Sequence, residues 1–81
     1  MTEVWLIQRF KNSTQDQIEF QIEPWGYPVW LEPGSMLEIH YLPPENRKDT
    51  SHFQTHDDGL IQFWCEGPRH KAYVDGEQFK A

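Results

Sequence analysis

The stretch Gln17-Ile18-Glu19-Phe20-Gln21-Ile22-Glu23-Pro24 decides how this chain folds. Ile18, Phe20 and Ile22 alternate with Gln17, Glu19, Gln21 and Glu23. A period of two sends one set of side chains into a core and the other into water, as in a half-buried strand. A helix would scatter these apolar residues around its cylinder, because its faces repeat every three to four residues. Pro24 has no amide proton for a ladder and ends the strand.

The same signature recurs on both sides. Val4 to Phe10 is an apolar-rich run that reads as a strand covered on both faces or nearly so. Asn12 to Asp16 then offers side chains that bond their own backbone and favour a turn. Downstream, Val29-Trp30-Leu31 resumes the extended chain, and Pro33-Gly34 has the chemistry of a type II turn. In Met36 to Leu42, Leu37, Ile39 and Tyr41 form one face against Glu38 and His40. Pro43-Pro44 closes that strand, and the polar stretch to Ser51 reads as the longest loop, with room for a short helical turn at most.

His52 to His56 reads as a short strand with Phe53 and Thr55 opposite His52, Gln54 and His56. After Asp57-Asp58-Gly59, a hairpin turn signal, Leu60 to Cys65 sets Ile61, Phe63 and Cys65 against Gln62 and Trp64. Gly67-Pro68 breaks that run, and Lys71 to Val74 and Glu77 to Lys80 flank Asp75-Gly76, a turn of the primed type. Turn signals spaced by about eight to twelve residues belong to a small all-β antiparallel sandwich or open barrel of about six to eight strands. The 81 residues form one domain, 1–81, whose thin core draws on four Trp, five Phe and three Tyr.

Thirteen acidic against seven basic side chains give a net charge of −6, which repels nucleic-acid phosphate and anionic lipid. Arg47, Lys48, Arg69 and Lys71 are interleaved with acids along the chain, so no nucleic acid and no membrane is expected as a partner. Cys65 is the only cysteine, which fits a reducing compartment. No basic stretch followed by a long apolar run opens the sequence, so neither a signal peptide nor a transmembrane helix is read there. The expected location is the cytoplasm, of a bacterium.

Ile22-Glu23-Pro24-Trp25-Gly26, Leu31-Glu32-Pro33-Gly34 and Leu37-Glu38-Ile39, with Asn12-Ser13 before them and Tyr73 to Gly76 after, carry a likeness. The pattern resembles a family of short uncharacterised bacterial β-sandwich proteins built on Glu-Pro-Trp-Gly and Pro-Gly turns. That resemblance implies a β-sandwich and supplies no activity. The run of strand, Asn-Ser, strand and Pro-Gly also looks loosely like the first half of cupredoxin-like sandwiches.

Three constellations are candidates for function. Trp25-Gly26-Tyr27-Pro28-Val29-Trp30 crowds three large aromatics, Trp25, Tyr27 and Trp30, into a connection bounded by prolines. Such residues either cap a thin core or anchor a partner. Glu19, Gln21 and Glu23, with Glu38 beside them, form an acidic sheet face that is either solvated or turned toward a basic partner. His52, His56, Cys65 and His70 have the ligand chemistry of a copper or zinc site, but no Met follows His70 to supply an axial thioether. Cys65 alternates onto the Ile61 and Phe63 face, where a small hydrophobe is expected. Neither a nucleophilic triad through Cys65 nor an acid pair from Asp57 and Asp58 has supporting spacing.

The expectation is a non-enzymatic protein-interaction module with no cofactor, using Trp25, Tyr27, Trp30, Glu19 and Glu23 to contact another protein. The alternatives are a small cupredoxin-like copper- or zinc-binding protein on His52, His56, Cys65 and His70, and a phage-type acidic inhibitor occupying a nucleic-acid-binding groove. Oligomeric state and strand order are left open.

Overall fold

Ile18–Glu23 is the second of eight strands in the computed structural model, which describes residues 3–79. In chain order the strands are β1 (Leu6–Lys11), β2 (Ile18–Glu23), β3 (Tyr27–Leu31), β4 (Met36–Tyr41), β5 (His52–Thr55), β6 (Ile61–Trp64), β7 (His70–Val74) and β8 (Glu77–Phe79). The described residues contain no helix, so none is long and apolar enough to cross a membrane. β1-β4-β7-β8 form one four-stranded sheet and β3-β2-β6-β5 the other, and neither closes on itself. The result is a two-sheet sandwich.

Five ladders are antiparallel, as expected, and one is not: β2 and β6 run parallel, with Phe20 beside Ile61 and Ile22 beside Phe63. The reason is topological. Between β2 and β6 the chain turns back along β3, crosses to the first sheet as β4, and returns through β5, so β6 arrives pointing the same way as β2. A parallel pair needs such a long crossover, whereas a hairpin would have made the pair antiparallel.

Alternation settles what lies between the sheets. Phe20 and Ile22 of β2, Val29 and Leu31 of β3, Leu37, Ile39 and Tyr41 of β4, Phe63 of β6, Cys65 and Ala72 of β7 form one buried cluster. Phe20 lies at its centre, 5.4 Å from the Phe10 ring and 6.1 Å from Phe53, with Phe53 in turn 5.0 Å from Phe63. Fully burying a side chain of this size contributes about 1.5–3 kcal/mol.

Two backbone junctions lock the sheets at opposite ends of β4. At one end the Asn12 side chain is fully buried: its Nδ2 donates to the carbonyls of Asp16 at 2.8 Å and Leu31 at 2.9 Å. Its Oδ1 accepts from Thr14 N and Thr14 Oγ1, at 3.0 and 2.7 Å. One amide thus shapes the β1–β2 turn and joins the end of β1 to the end of β3. At the other end Gly67 presses on Leu42, where a Cβ would stand 1.6 Å from the Leu42 carbonyl oxygen, so only glycine fits. The Asp75-Gly76 turn takes positive φ at both central residues, +51° and +87°, which is the primed hairpin turn expected there.

The stretch from Pro43 to Ser51 takes no helical turn and is strapped down by side chains. Arg47 donates to the Glu66 carbonyl at 3.1 Å, and Asp49 accepts from Tyr41 Oη at 2.9 Å and from Ser51 N at 3.0 Å. Burial raises the Asp49 carboxyl, but hydrogen bonds from Ser51 and Tyr41 outweigh it and hold the group below its ordinary value. Burial, followed by the Asp49 charge, raises the Tyr41 phenol.

Candidate interaction face

Because Phe20 and Ile22 point inward, Glu19, Gln21 and Glu23 point out from the β3-β2-β6-β5 sheet, and the register decides what they meet. Glu19 lies opposite Trp30, and Gln21 opposite Pro28 on β3 and Gln62 on β6. Glu23 lies beside Trp64, and Trp64 opposite His52. The outward face is therefore a band of acids and amides with an indole at either end.

Its middle is ordered by hydrogen bonds. Gln21 Nε2 donates to Glu19 Oε2 at 3.1 Å, and Gln62 Nε2 donates to Glu23 Oε2. With that amide orientation Gln62 Oε1 accepts from His56 Nε2 at 2.6 Å, and Trp64 Nε1 donates to Gln54 Oε1 at 3.0 Å. Gln62 points outward yet is only 9% exposed, because its neighbours close over it. Gln62, His56, Gln54 and Trp64 extend this face beyond the residues that the sequence marks for it. Their alternation is legible in the sequence, but placing β6 beside β2 requires a strand order that alternation does not encode.

The charges are segregated between the sheets. No Lys or Arg occurs from Asn12 to Asn46 or from Asp49 to Pro68, so β2, β3, β5, β6 and their turns are free of strong bases. Asp16, Glu19, Glu23, Glu32, Asp57 and Asp58 all fall on this half. Below Trp30 a groove of about 560 Å³ runs between the β1–β2 loop and the β5–β6 turn, lined by Asp16, Glu19 and Asp58 among others.

The other sheet carries bases and neutralises many of them. On its outer face Arg9 Nε lies 2.7 Å from Glu38 Oε2, and His40 Nε2 is 3.2 Å from Glu38 Oε1. Arg69 lies 2.6 Å from Glu3, and Lys71 sits 4.8 Å above the Trp5 ring. Glu38 thus belongs to β4 in the opposite sheet, not beside Glu19 and Glu23. The Arg9 hydrogen bond, then that of His40, holds its carboxyl below the ordinary value. Bases interleaved with acids along the chain are thus sorted in space by the fold.

Trp25 and Trp30 do not share one patch. Only Pro24 to Gly26 forms a turn, and Tyr27 already opens the edge strand β3. Trp30 stands on the acidic face and is 54% exposed. Trp25, 44% exposed, lies at the end of the sandwich with its ring 4.1 Å from that of His70. Burial lowers the His70 pKa from its ordinary value. The ring of Tyr27 lies outside the described residues.

The remaining histidines and the cysteine take separate positions. His52 is exposed, with Nδ1 2.9 Å from the Thr50 carbonyl, while His56 faces Gln62. Cys65 is buried in the core, its Sγ 3.8 Å from the Gly67 carbonyl, and burial raises its pKa so that it remains a thiol. Among the described residues no three His, Cys, Asp or Glu side chains gather to hold a metal ion. Asp57 and Asp58 form the turn before Leu60, whose amide donates to Asp58 Oδ1 at 3.1 Å. Comparison with protein-family models, curated proteins and solved structures returned no match.

Proposed function

We propose that this protein is a non-enzymatic interaction module that docks a basic protein surface on the outer face of its β3-β2-β6-β5 sheet. The observation that carries the reading is a sheet devoid of Lys and Arg that presents Glu19 opposite a solvent-exposed Trp30, with Glu23 on the same face. Exposed tryptophan is the residue type most enriched among energetic anchors of interfaces. Carboxylates with no cation at hand steer an oppositely charged partner and set its orientation. Trp30 can also lie against an incoming guanidinium or ammonium. An acidic inhibitor of a nucleic-acid-binding groove is one form this activity takes, since such a groove is itself a basic surface.

The test is co-purification and cross-linking from the source cells with the wild type, Trp30→Ala, Glu19→Lys and the control Arg9→Gln. The expected result is a partner with a basic face that is retained by wild type and Arg9→Gln and lost by the other two, with all four equally folded by circular dichroism. A partner set indifferent to Trp30 and Glu19 would overturn the reading.

A further inference from the structure

A second surface, at the edge of the opposite sheet, is built for a different occupant. Of the four strands that end a sheet, β5 and β8 have four and three described residues, and β3 is interrupted by Pro28. β1 has six residues and no proline; Ile7 within it is 43% exposed and Val4, just before it, 70% exposed. Asn12 N donates to Ser35 O and Asn12 O accepts from Gly34 N, so both main-chain groups of Asn12 face the β4 side. Alternation then points the main-chain groups of Phe10, Gln8 and Leu6 at β4 and those of Lys11, Arg9 and Ile7 at the open edge. That edge is a row of donors and acceptors without a strand.

We infer that β1 pairs antiparallel with β1 of a second copy, about a two-fold axis through Ile7, to make one continuous eight-stranded sheet. The commitment to a second copy comes from charge and register. A two-fold perpendicular to the sheet keeps outward residues outward, so only pairings of like parity are allowed. With residues 3–5, which precede β1, extending the strand on association, the register centred on Ile7 places Ile7 opposite Ile7, Trp5 opposite Arg9 and Glu3 opposite Lys11, Trp5–Arg9 and Glu3–Lys11 twice each by symmetry. Lys11 has no carboxylate partner among the described residues, and this register supplies one. Sliding outward by one pleat repeat leaves Glu3 unmatched and sets Trp5 against Lys11. A further slide sets Arg9 against Arg9, where like charges repel. Sliding inward shortens the ladder and leaves Lys11 beyond it.

Each copy carries a net charge of −6, which opposes close approach until salt screens it. Association is therefore measured at about 0.15 M salt, where the screening length is about 8 Å. Sedimentation of the wild type is expected to show monomer giving way to a species of twice the mass as concentration rises. Ile7→Lys, a change at a half-exposed outward position, should weaken association by about tenfold or more with an unchanged circular dichroism spectrum, since it sets two ammonium groups face to face.

Register is read by cysteine cross-linking with copper phenanthroline, Cys65 being buried and protonated. Paired residues on the axis stand about 5.5 Å apart between Cα atoms, within disulfide reach, whereas the two Arg9 positions stand roughly 14 Å apart. Ile7→Cys should therefore form a covalent dimer and Arg9→Cys should not. A wild type that stays monomeric to millimolar concentration, or equal cross-linking of the two cysteine variants, would overturn the inference. Because neither readout involves Trp30, Glu19 or a partner protein, its failure leaves the acidic-face reading standing.

Discussion

On the outer face of β1-β4-β7-β8, Arg9 meets Glu38, Arg69 meets Glu3 and Lys71 lies over Trp5. On the outer face of β3-β2-β6-β5, Glu19 and Glu23 accept hydrogen bonds from glutamine amides and, among the described residues, lie in no ion pair. Both faces come from strands of similar length and similar alternation, so the backbone does not make the difference. What differs is whether each charge finds its complement within the chain. A face that neutralises its own charges gains little from an outside ion, because exposed pairs contribute about 0–1 kcal/mol at most. A face that holds carboxylates together without a cation keeps a field that only something outside the molecule can satisfy. The first face is largely closed chemically, Lys11 at its free edge excepted, and the second is open.

That contrast requires one rigid body presenting both faces, and the strongest way to break it is to separate the sheets. Gly67→Ala forces a methyl group into the Leu42 carbonyl and should cost more than about 3 kcal/mol, since backbone on both sides must move. Asn12→Ala leaves the carbonyl of Leu31 without its side-chain donor and removes the acceptor for Thr14, at about 2–3 kcal/mol. Urea unfolding followed at once by tryptophan fluorescence and far-ultraviolet circular dichroism should show one shared transition at a lower midpoint for each variant. Non-coincident transitions would mean that the sheets melt separately and that their faces are not held in a fixed relation.

A comparable effect sharpens the difference between inside and outside of a single sheet. Phe20→Ala removes a ring from the centre of the core and should cost about 3–5 kcal/mol. Trp30→Ala, two residues from Pro28 on the edge strand and more than half exposed, should change stability by less than about 1 kcal/mol. Equal losses in urea midpoint would show that the Trp30 indole is holding the fold rather than waiting for a partner.

How much of this was legible depends on the range of the interaction. Ile18, Phe20 and Ile22 declare a strand because alternation is a local property, and Asp75-Gly76 declares its turn because two positive φ angles select those residues. The side-by-side placement of β2 and β6 is not local. It follows from a crossover through three intervening strands, and with it went the recognition that Gln62 and Trp64 extend the Glu19–Glu23 face. Asn12 reads from sequence as one turn former among five polar residues, but its role depends on the Leu31 carbonyl, brought to it by the closing of the sandwich. Alternation alone leaves Glu38 free to stand beside Glu19, and only the pairing of β4 with β1 moves it to Arg9. Cys65 was legible, because its place two residues after Phe63 fixes its face.

The next test probes whether the closed face is closed by Arg9. Glu38 has its pKa lowered chiefly by the Arg9 hydrogen bond, so its contribution to stability is complete above its ordinary value of 4.5. That contribution is lost as pH falls through the lower folded-state value. Arg9→Gln should therefore raise the Glu38 pKa toward 4.5 and flatten the acid limb of the stability curve there. Carboxyl titration by NMR reads the first, and urea midpoints at successive pH values the second. An unmoved Glu38 would transfer the role to His40.

The smallest effect concerns Trp25, which belongs to neither face and separates the two explanations of an exposed indole. If its ring is there to cover His70, the imidazole is kept from water and its neutral form is favoured, which is the direction in which burial shifts it. Folding stability linked to His70 is then complete above its ordinary 6.5 and declines as pH falls through the lower folded-state value, because the unfolded chain takes up the proton first. Trp25→Ala should return the His70 pKa toward 6.5 and remove that slope, as followed by NMR titration of the imidazole ring proton and by urea midpoints across the same pH range. A His70 pKa that stays low in the variant means that other neighbours keep the ring dry. The Trp25 indole would then be free to join Trp30 as a contact, and the open character of the acidic face would extend around the end of the sandwich.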